Sequence, residues 1–503
     1  MNRRKFIGWM GSGIAAGSAA SAFAMAPAPP ARSDTRPNFL FIICDDLMFR
    51  TIHALNNSEV HTPNIDRLMA SGHAFTHCFH QGSWSGAVCL PSRTMLNSGL
   101  TAFHAKDGID EVHTWGQTLG NAGYDTYICG KWHLDTTVLQ RSFKEMGPIG
   151  PGMLPSTPMN GAAYNRPRPG DTWEPWDESL KGHWIHTNLW VNQNPDRIGH
   201  SAAIYTDCFI DHLLNKAAKR DSPFFMYLGF NSPHDPRQAP REYVDLYPQD
   251  KIKVPPDFLP EHPFDQGDFK IRDELLAPFP RTPADVQLHR REYYALITYT
   301  DYQIGRILDA LEQSAKASNT YVILTADHGL AVGEHGLMGK QNMYECSIRM
   351  PLIVRGPGIT PGRRTDELVY QHNMYATTCE LAGIPIPRTV EFPSIAPLLR
   401  GEDRPVYDAV FSYYKGYQRM TRTKTHKIIV YPQIQRVQVF DIENDPWEMH
   451  DLSTDPSAAG LKKDLMQRLK EFQKELGDKL DLAHPAPVVD TALESYQEAV
   501  SWT

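Results

Sequence analysis

Several things are scarce in this 503-residue chain, and each absence excludes a class of protein. Beyond the first residues no apolar run reaches the roughly 18 residues of a membrane-crossing helix, so a multi-pass membrane protein is excluded. The seven cysteines (44, 78, 89, 129, 208, 346 and 379) form no C-x-x-C pair, which removes zinc-ribbon and redox spacings. In an oxidising compartment some could pair, but an odd count leaves at least one over. Positive charge is not in excess: 50 Lys and Arg stand against 58 Asp and Glu, a net −8. An acidic surface repels polyanions, so wholesale nucleic-acid binding is excluded, and any anionic ligand needs a local positive site. No internal repeat is present. Apolar residues are not lacking: 41% hydrophobic against 21% charged is enough to bury a large core and to exclude disorder as the main state.

The N-terminus carries its own signal. Arg3-Arg4-Lys5-Phe6-Ile7 precedes a small-residue stretch that ends in Ala22-Phe23-Ala24. A paired arginine, a weakly apolar middle and an A-x-A end predict a twin-arginine export signal over 1–24, and hence a periplasmic or secreted protein. The stretch is too short and too rich in Gly, Ala and Ser for a membrane anchor. Cleavage after Ala24 would remove three positive charges and no acid. The Pro-rich residues 25–36 would form a tether.

Length alone suggests about three domains, yet the pattern reads as two. Asn38–Cys44, Pro223–Phe230 and Tyr321–Thr325 are continuous apolar runs, as expected of strands buried on both faces of a parallel sheet. Thr62 and Pro63 open a helix as N-cap and first helical residue. An amphipathic helix runs from Arg291 to about Ala317. The fold class is α/β: a large mixed, mostly parallel sheet sandwiched by helices, over 37–407. Residues 147–194, rich in Pro and Gly and holding Trp173, Trp176, Trp184 and Trp190, read as a long irregular insertion. Exposed indoles commonly stack on sugar rings, though they can equally pack a loop's own small core. From 408 short strands at Ala409–Tyr414, Gln418–Arg422, Lys427–Tyr431 and Val437–Phe440 precede a helix over Leu461–Leu476. This 408–503 segment is a smaller C-terminal α+β domain on an antiparallel sheet.

Ligands of open α/β sheets bind beyond the carboxyl ends of the strands. Asp45-Asp46, His234 and Asp327-His328 each follow a predicted strand, so three strand ends offer polar groups to one crevice. Three carboxylates suit a hard divalent cation. Cys89-Leu90-Pro91-Ser92-Arg93 heads a further predicted helix. Its first residue would face a helix N-terminus that favours an anion, and Arg93 returns to the same face one turn later.

Cys89–Arg93 resembles the C-x-P-S-R motif of the type I sulfatases, in the alkaline phosphatase superfamily. Gly130-Lys131-Trp132-His133, Ser232-Pro233-His234, Asp327-His328-Gly329 and Gly339-Lys340 resemble further elements of that family, in family order. The resemblance implies that a maturation enzyme oxidises Cys89 to formylglycine before folding. It implies a metal site of Asp45, Asp46, Cys89, Asp327 and His328, holding Ca²⁺ in the first place, with Mn²⁺ or Mg²⁺ as alternatives. Many sulfatases carry Asn where His328 stands, and imidazole is an unusual Ca²⁺ ligand. Lys131 and Lys340 would bind sulfate oxygens, Arg93 and His133 would orient and deprotonate a formylglycine hydrate, and His234 would protonate the leaving alkoxide. Lys340, read as a loop lysine, is expected to serve affinity more than stability.

The activity so implied is sulfate ester hydrolysis on a sulfated saccharide by an exported enzyme. The alternative is a phosphonate or phosphate ester hydrolase of the same superfamily, which His328 favours. A catalytically dead saccharide-binding protein is a third reading, opposed by intact Cys89 and a full set of metal ligands. Trp84, His104, Trp115 and Arg237 are unranked candidates for sugar contact.

Overall fold

The computed structural model describes residues 35–150 and 200–488, apart from 236, 238 and 403. The signal sequence, nearly all of the tether and the four tryptophans of the insertion lie outside the described residues.

Thirteen strands form two sheets among the described residues. In chain order they are β1 (Asn38–Asp45), β2 (His73–Phe79), β3 (Asp125–Lys131), β4 (Glu145–Gly150), β5 (Phe224–Pro233), β6 (Thr320–Ala326), β7 (Arg349–Arg355), β8 (Arg363–Thr365), β9 (Val369–Tyr370), β10 (Ala409–Tyr414), β11 (Gln418–Thr423), β12 (His426–Tyr431) and β13 (Arg436–Asp441). The large sheet has the order β4-β3-β5-β1-β6-β7-β2-β8, with β9 also on β2. Its pairings are parallel except those of β7 with β6 and β2. The sheet is therefore mixed and mostly parallel, as the apolar runs predict.

Register explains why β1 is apolar from Phe39 to Cys44. Phe39 and Phe41 lie beside Phe225 and Tyr227 on one face, where Trp115 packs 4.8 Å from the rings of both Phe41 and Phe225. Tyr127 lies beside Met226 on the opposite face, since alternate residues change sides, and there it meets Phe209 of the Ser201–Asn215 helix. Both faces are thus covered by helices, and a solvent-facing polar residue has no place on the central strands.

Three local readings change. Residues 147–150, read as the start of an irregular insertion, complete β4 on the edge of the sheet. The long helix spans Pro283–Gln313 rather than 291–317. Its first turns hide from apolar periodicity because most of their buried residues are polar: Thr282 and Asp285 form a reciprocal capping box, and Arg290 pairs with Glu334 at 2.7 Å. Thr62 does precede the Pro63–Ser71 helix, but its hydroxyl donates to Asp66 instead of capping. Asp301, from the long helix, accepts from the N–H groups of Asn64 and Ile65 in its place.

Strands β10 to β13 form the antiparallel sheet by successive hairpin pairings. The Ala459–Leu476 helix packs on it, with Phe472 against Phe411. This sheet is stitched to the large one near the Cys89 helix: Ser83 N–H donates to Tyr413 O and Lys415 N–H to Ser83 O, each at 2.8 Å.

Candidate active site

Parallel pairing of β3, β5, β1 and β6 puts their carboxyl ends along one edge. Lys131 ends β3, Asp45 ends β1, His234 follows β5 and Asp327 follows β6. Glycine makes this edge tight. A Cβ on Gly130, whose φ is +88°, would lie 2.0 Å from Gly229 O, and one on Gly229 would lie 2.2 Å from Lys131 O. Only hydrogen fits at either position, so the β3 and β5 backbones close together just where the functional side chains begin.

The Cys89–Ser98 helix supplies the next group. Cys89 is its first residue and is buried, with Sγ 3.1 Å from His133 Nδ1 and 3.6 Å from Lys131 Nζ. Arg93, one turn on, donates from Nε to Asp327 Oδ2 and from Nη1 to Lys131 O, both at 2.9 Å. The predicted shared face is therefore real, though Arg93 is spent on holding Asp327 and β3. Ser92 Oγ and Gln371 Nε2 donate to the Asp327 carbonyl and fix it from behind.

Lys131 also donates to the Asp45 carboxylate, and Lys340 donates to Asp46 Oδ1 at 2.9 Å. Asp46 adopts a left-handed φ of 68°, with its carbonyl held by the Tyr293 hydroxyl. His328 Nδ1 lies 3.0 Å from Gly329 O, which makes Nδ1 the protonated nitrogen and leaves Nε2 a lone pair. That lone pair lies 3.5 Å from Asp327 Oδ1 and 3.9 Å from Asp45 Oδ1. His328 Nε2, Asp45 Oδ1 and Asp46 Oδ2 are all buried without a hydrogen-bond partner. Acceptors converging without a donor are costly unless a cation joins them. Asp45, Cys89, Asp327 and His328 each present a ligand atom within 4.8 Å of the others. The residues present therefore fit a divalent cation.

The ionisation balance agrees. Burial opposes the charge on Asp45, yet Lys131, aided by His234 and Lys340, holds its carboxyl well below the usual range. Burial pushes Asp46 up to about 6 against the pull of Lys340. Burial, with Lys131 adding to it, drives the His133 imidazole down to about 2, so it stands neutral beside Cys89. Lys131 and Lys340 both rise despite burial, because Asp45 and Asp46 face them.

All ten residues named from the sequence are thus gathered at one edge, through these contacts and through His234, whose Nε2 is 3.8 Å from Asp46 Oδ2. Lys340 does lie in a loop, but it is buried and ion-paired, hence part of the fold as well as of the site. Among the sugar-contact candidates Trp115 is excluded, since it is wholly buried in the core with its indole N–H donating to Thr378. His104 is tied to Glu391 at 2.6 Å, and Trp84 is half-buried. Sequence reading missed Asp235 and Arg272. The Asp235 main-chain carbonyl lies 2.7 Å from His234 Nδ1, and Arg272 clamps both Asp235 and Asp273. Adjacency to His234 was the only signal for Asp235, and Arg272 had none.

Comparison with known proteins settles the family. The sulfatase family model matches residues 37–384, more than half of the chain. The chain belongs to the sulfatase family. A second model, for the C-terminal part of N-sulphoglucosamine sulphohydrolase, matches residues 333–475 of this sulfatase. The sulfatase is 25% identical to an N-acetylglucosamine-6-O-sulfatase of Bacteroides thetaiotaomicron, covering 90% of this chain and 89% of that one. It is 30% identical to a sulfatase of Formosa agariphila, covering 69% and 70%. It is a sulfuric ester hydrolase. Its fold is shared with an enzyme solved in complex with its substrate D-glucosamine-2-N,6-O-disulfate (TM-score 0.68, 23% identity, 88% and 99% covered). It is shared equally with a phosphonate monoester hydrolase of Agrobacterium radiobacter (TM-score 0.69, 19% identity, 88% and 96% covered).

Proposed function

We propose that this sulfatase removes sulfate from a sulfated saccharide, using formylglycine made from Cys89, after export through a twin-arginine signal. The observation that carries the chemistry is the side chain of residue 89 at a helix N-terminus, between Lys131 and neutral His133 and beside three unpartnered acceptors. Asp45, Asp46, Asp327, His328 and residue 89 would hold one divalent cation, with Ca²⁺ ahead of Mn²⁺ and Mg²⁺. When bound it supplies positive charge against the anionic ester. Formylglycine would supply, as its hydrate, two hydroxyls on one carbon, one to attack sulfur and one to release sulfate.

The chain's own groups do the rest. His133 Nδ1, 3.1 Å from the side chain of residue 89, accepts its proton. Arg93, locked to Asp327 and β3, keeps the helix N-terminus aimed at the sulfate. The ammonium groups of Lys131 and Lys340 take sulfate oxygens and offset the charge that develops there. His234, with Nδ1 against the Asp235 carbonyl, presents Nε2 to the site and protonates the leaving alkoxide. Residues 37–407 form the catalytic unit and 408–503 the second domain.

A saccharide substrate is supported by the relative named for N-acetylglucosamine-6-O-sulfate chemistry, by the similar enzyme solved with a sulfated glucosamine, and by the tryptophan-rich insertion. Mass spectrometry of the Cys89 peptide after co-expression with a maturation enzyme tests the modification. An aldehyde supports the mechanism, and an intact thiol would favour the dead binding protein. Exchange of Arg3 and Arg4 for lysine should retain the protein in the cytoplasm, and unchanged export would remove the twin-arginine reading.

The second reading, a phosphonate or phosphate ester hydrolase, is favoured by His328 in the metal set and by the fold shared with phosphonate monoester hydrolases. Aryl sulfate against aryl phosphonate separates the two, and a large phosphonate preference would overturn the first.

A further inference from the structure

Arginine stays charged in protein interiors, so a buried guanidinium needs an anion or leaves its charge uncompensated. The structure answers this need almost everywhere. Of the buried arginines, Arg93 pairs with Asp327, Arg281 with Glu274, Arg290 with Glu334, Arg419 with Asp478 and Arg422 with Glu345. Arg237 is the exception. It is 3% exposed, and among the described residues no carboxylate pairs with it and its Nε and Nη2 have no hydrogen-bond partner.

Its remaining contacts hold it in place without neutralising it. Nη1 lies 3.0 Å from His289 Nδ1, an acceptor in a ring that burial, reinforced by Arg237 itself, keeps neutral, down to about 3. The guanidinium carbon stands 5.4 Å from the centre of the Tyr293 ring. Asp235, the nearby acid that could have answered it, has both carboxylate oxygens taken by Arg272. One edge of a planar fork, Nε with Nη2, is therefore fixed and charged, with no hydrogen-bond partner among the described residues.

The position of that fork gives it meaning. Arg237 lies three residues after His234, on the same segment. The Tyr293 ring it faces is the one whose hydroxyl holds the Asp46 carbonyl. A guanidinium edge of this kind matches an oxyanion with two oxygens in one plane. Lys131 and Lys340 already serve the reaction centre, so this fork is a second positive element beside it.

We propose that Arg237 forms an anion subsite next to the reaction centre, which takes a second negatively charged group of the saccharide: a uronate carboxylate or a further sulfate. The proposal rests on the sulfated-saccharide reading above and narrows it to substrates with two anionic groups. Arg237 is then a specificity-determining residue, and singly charged esters lack the partner it requires.

The test compares three substrates by kcat/KM in the metal-loaded, formylglycine-containing enzyme: a monosulfated neutral monosaccharide, the same sugar with a second sulfate, and a disaccharide placing a uronate beside the sulfated residue. Arg237→Gln should lower kcat/KM about a hundredfold for one of the doubly charged substrates and by less than about threefold for the singly charged one. Arg237→Lys, which keeps the charge and loses the fork, should fall between them. Whichever doubly charged substrate suffers more identifies the group bound. Equal losses on all three in both variants would overturn the subsite and make Arg237 structural. Wild-type enzyme that releases sulfate from none of the three would overturn the saccharide reading, and this proposal with it.

Discussion

Lys131 Nζ donates to both the Asp45 carboxylate and the Cys89 sulfur, so one ammonium ties the end of β1 to the start of the Cys89–Ser98 helix. Charge balance in the pocket depends on such shared cations. That arrangement makes its variants easy to tell apart.

Cys89→Ser changes one buried atom, and its unfolding free energy should stay within about 1 kcal/mol of the parent. Turnover of a sulfated substrate should fall to background, because serine cannot supply two hydroxyls on one carbon. Sulfate release measured by ion chromatography checks this, and retained activity would contradict the diol mechanism.

Lys340→Ala should do more than weaken sulfate binding. Removing one partner of a buried pair leaves Asp46 uncompensated, at a cost of about 3–5 kcal/mol. Thermal unfolding in chelator should show the full loss and unfolding with metal a smaller one, since a cation also answers Asp46. Equal melting points with unchanged kinetics would refute both roles.

Chelation should destabilise the wild-type protein, since like charges on Asp45, Asp46 and Asp327 then face one another. Adding back Ca²⁺, Mn²⁺ or Mg²⁺ at a hundred times its dissociation constant should restore about 2.7 kcal/mol. The metal that does so at the lowest concentration, confirmed by elemental analysis of purified protein, identifies the ion.

Gly130→Ala should prevent correct folding, because the new methyl meets the Gly229 carbonyl and φ is left-handed. A cost above about 3 kcal/mol is expected, read as a collapse in soluble yield.

Asp478 predicts an acid-sensitive joint between the C-terminal helix and β11. Burial opposes its charge, but Arg419, bonded to both carboxylate oxygens, depresses its pKa. A depressed pKa gives stability that is complete above the unfolded-state value near 4 and is lost as pH falls below it. Asp478→Asn should lower the melting temperature at neutral pH and shrink the difference between pH 7 and pH 3.

Much of this was legible in the chain because buried parallel strands announce themselves. Phe39–Cys44 can be apolar throughout only if both faces are covered, and the acids that follow it must then sit at a sheet edge. Polar burial left no such trace. The first turns of the long helix, and Lys340, satisfy charges by pairing with distant residues, Glu334 and Asp46. Trp115 shows the converse, a residue whose chemistry suits sugar stacking and whose place is the core. Arg237 could be named from sequence but not ranked, because its importance lies in the partner it lacks.

The Ser83–Tyr414 bridge has a consequence for the timing of synthesis. The loop leading to Cys89 is made early, but its hydrogen-bonding partner is a hairpin near the end of the chain. Until that hairpin leaves the ribosome, Ser83 lacks both of its backbone partners there, and the segment before residue 89 is not yet fastened on that side. Closure of one backbone bridge would end that interval.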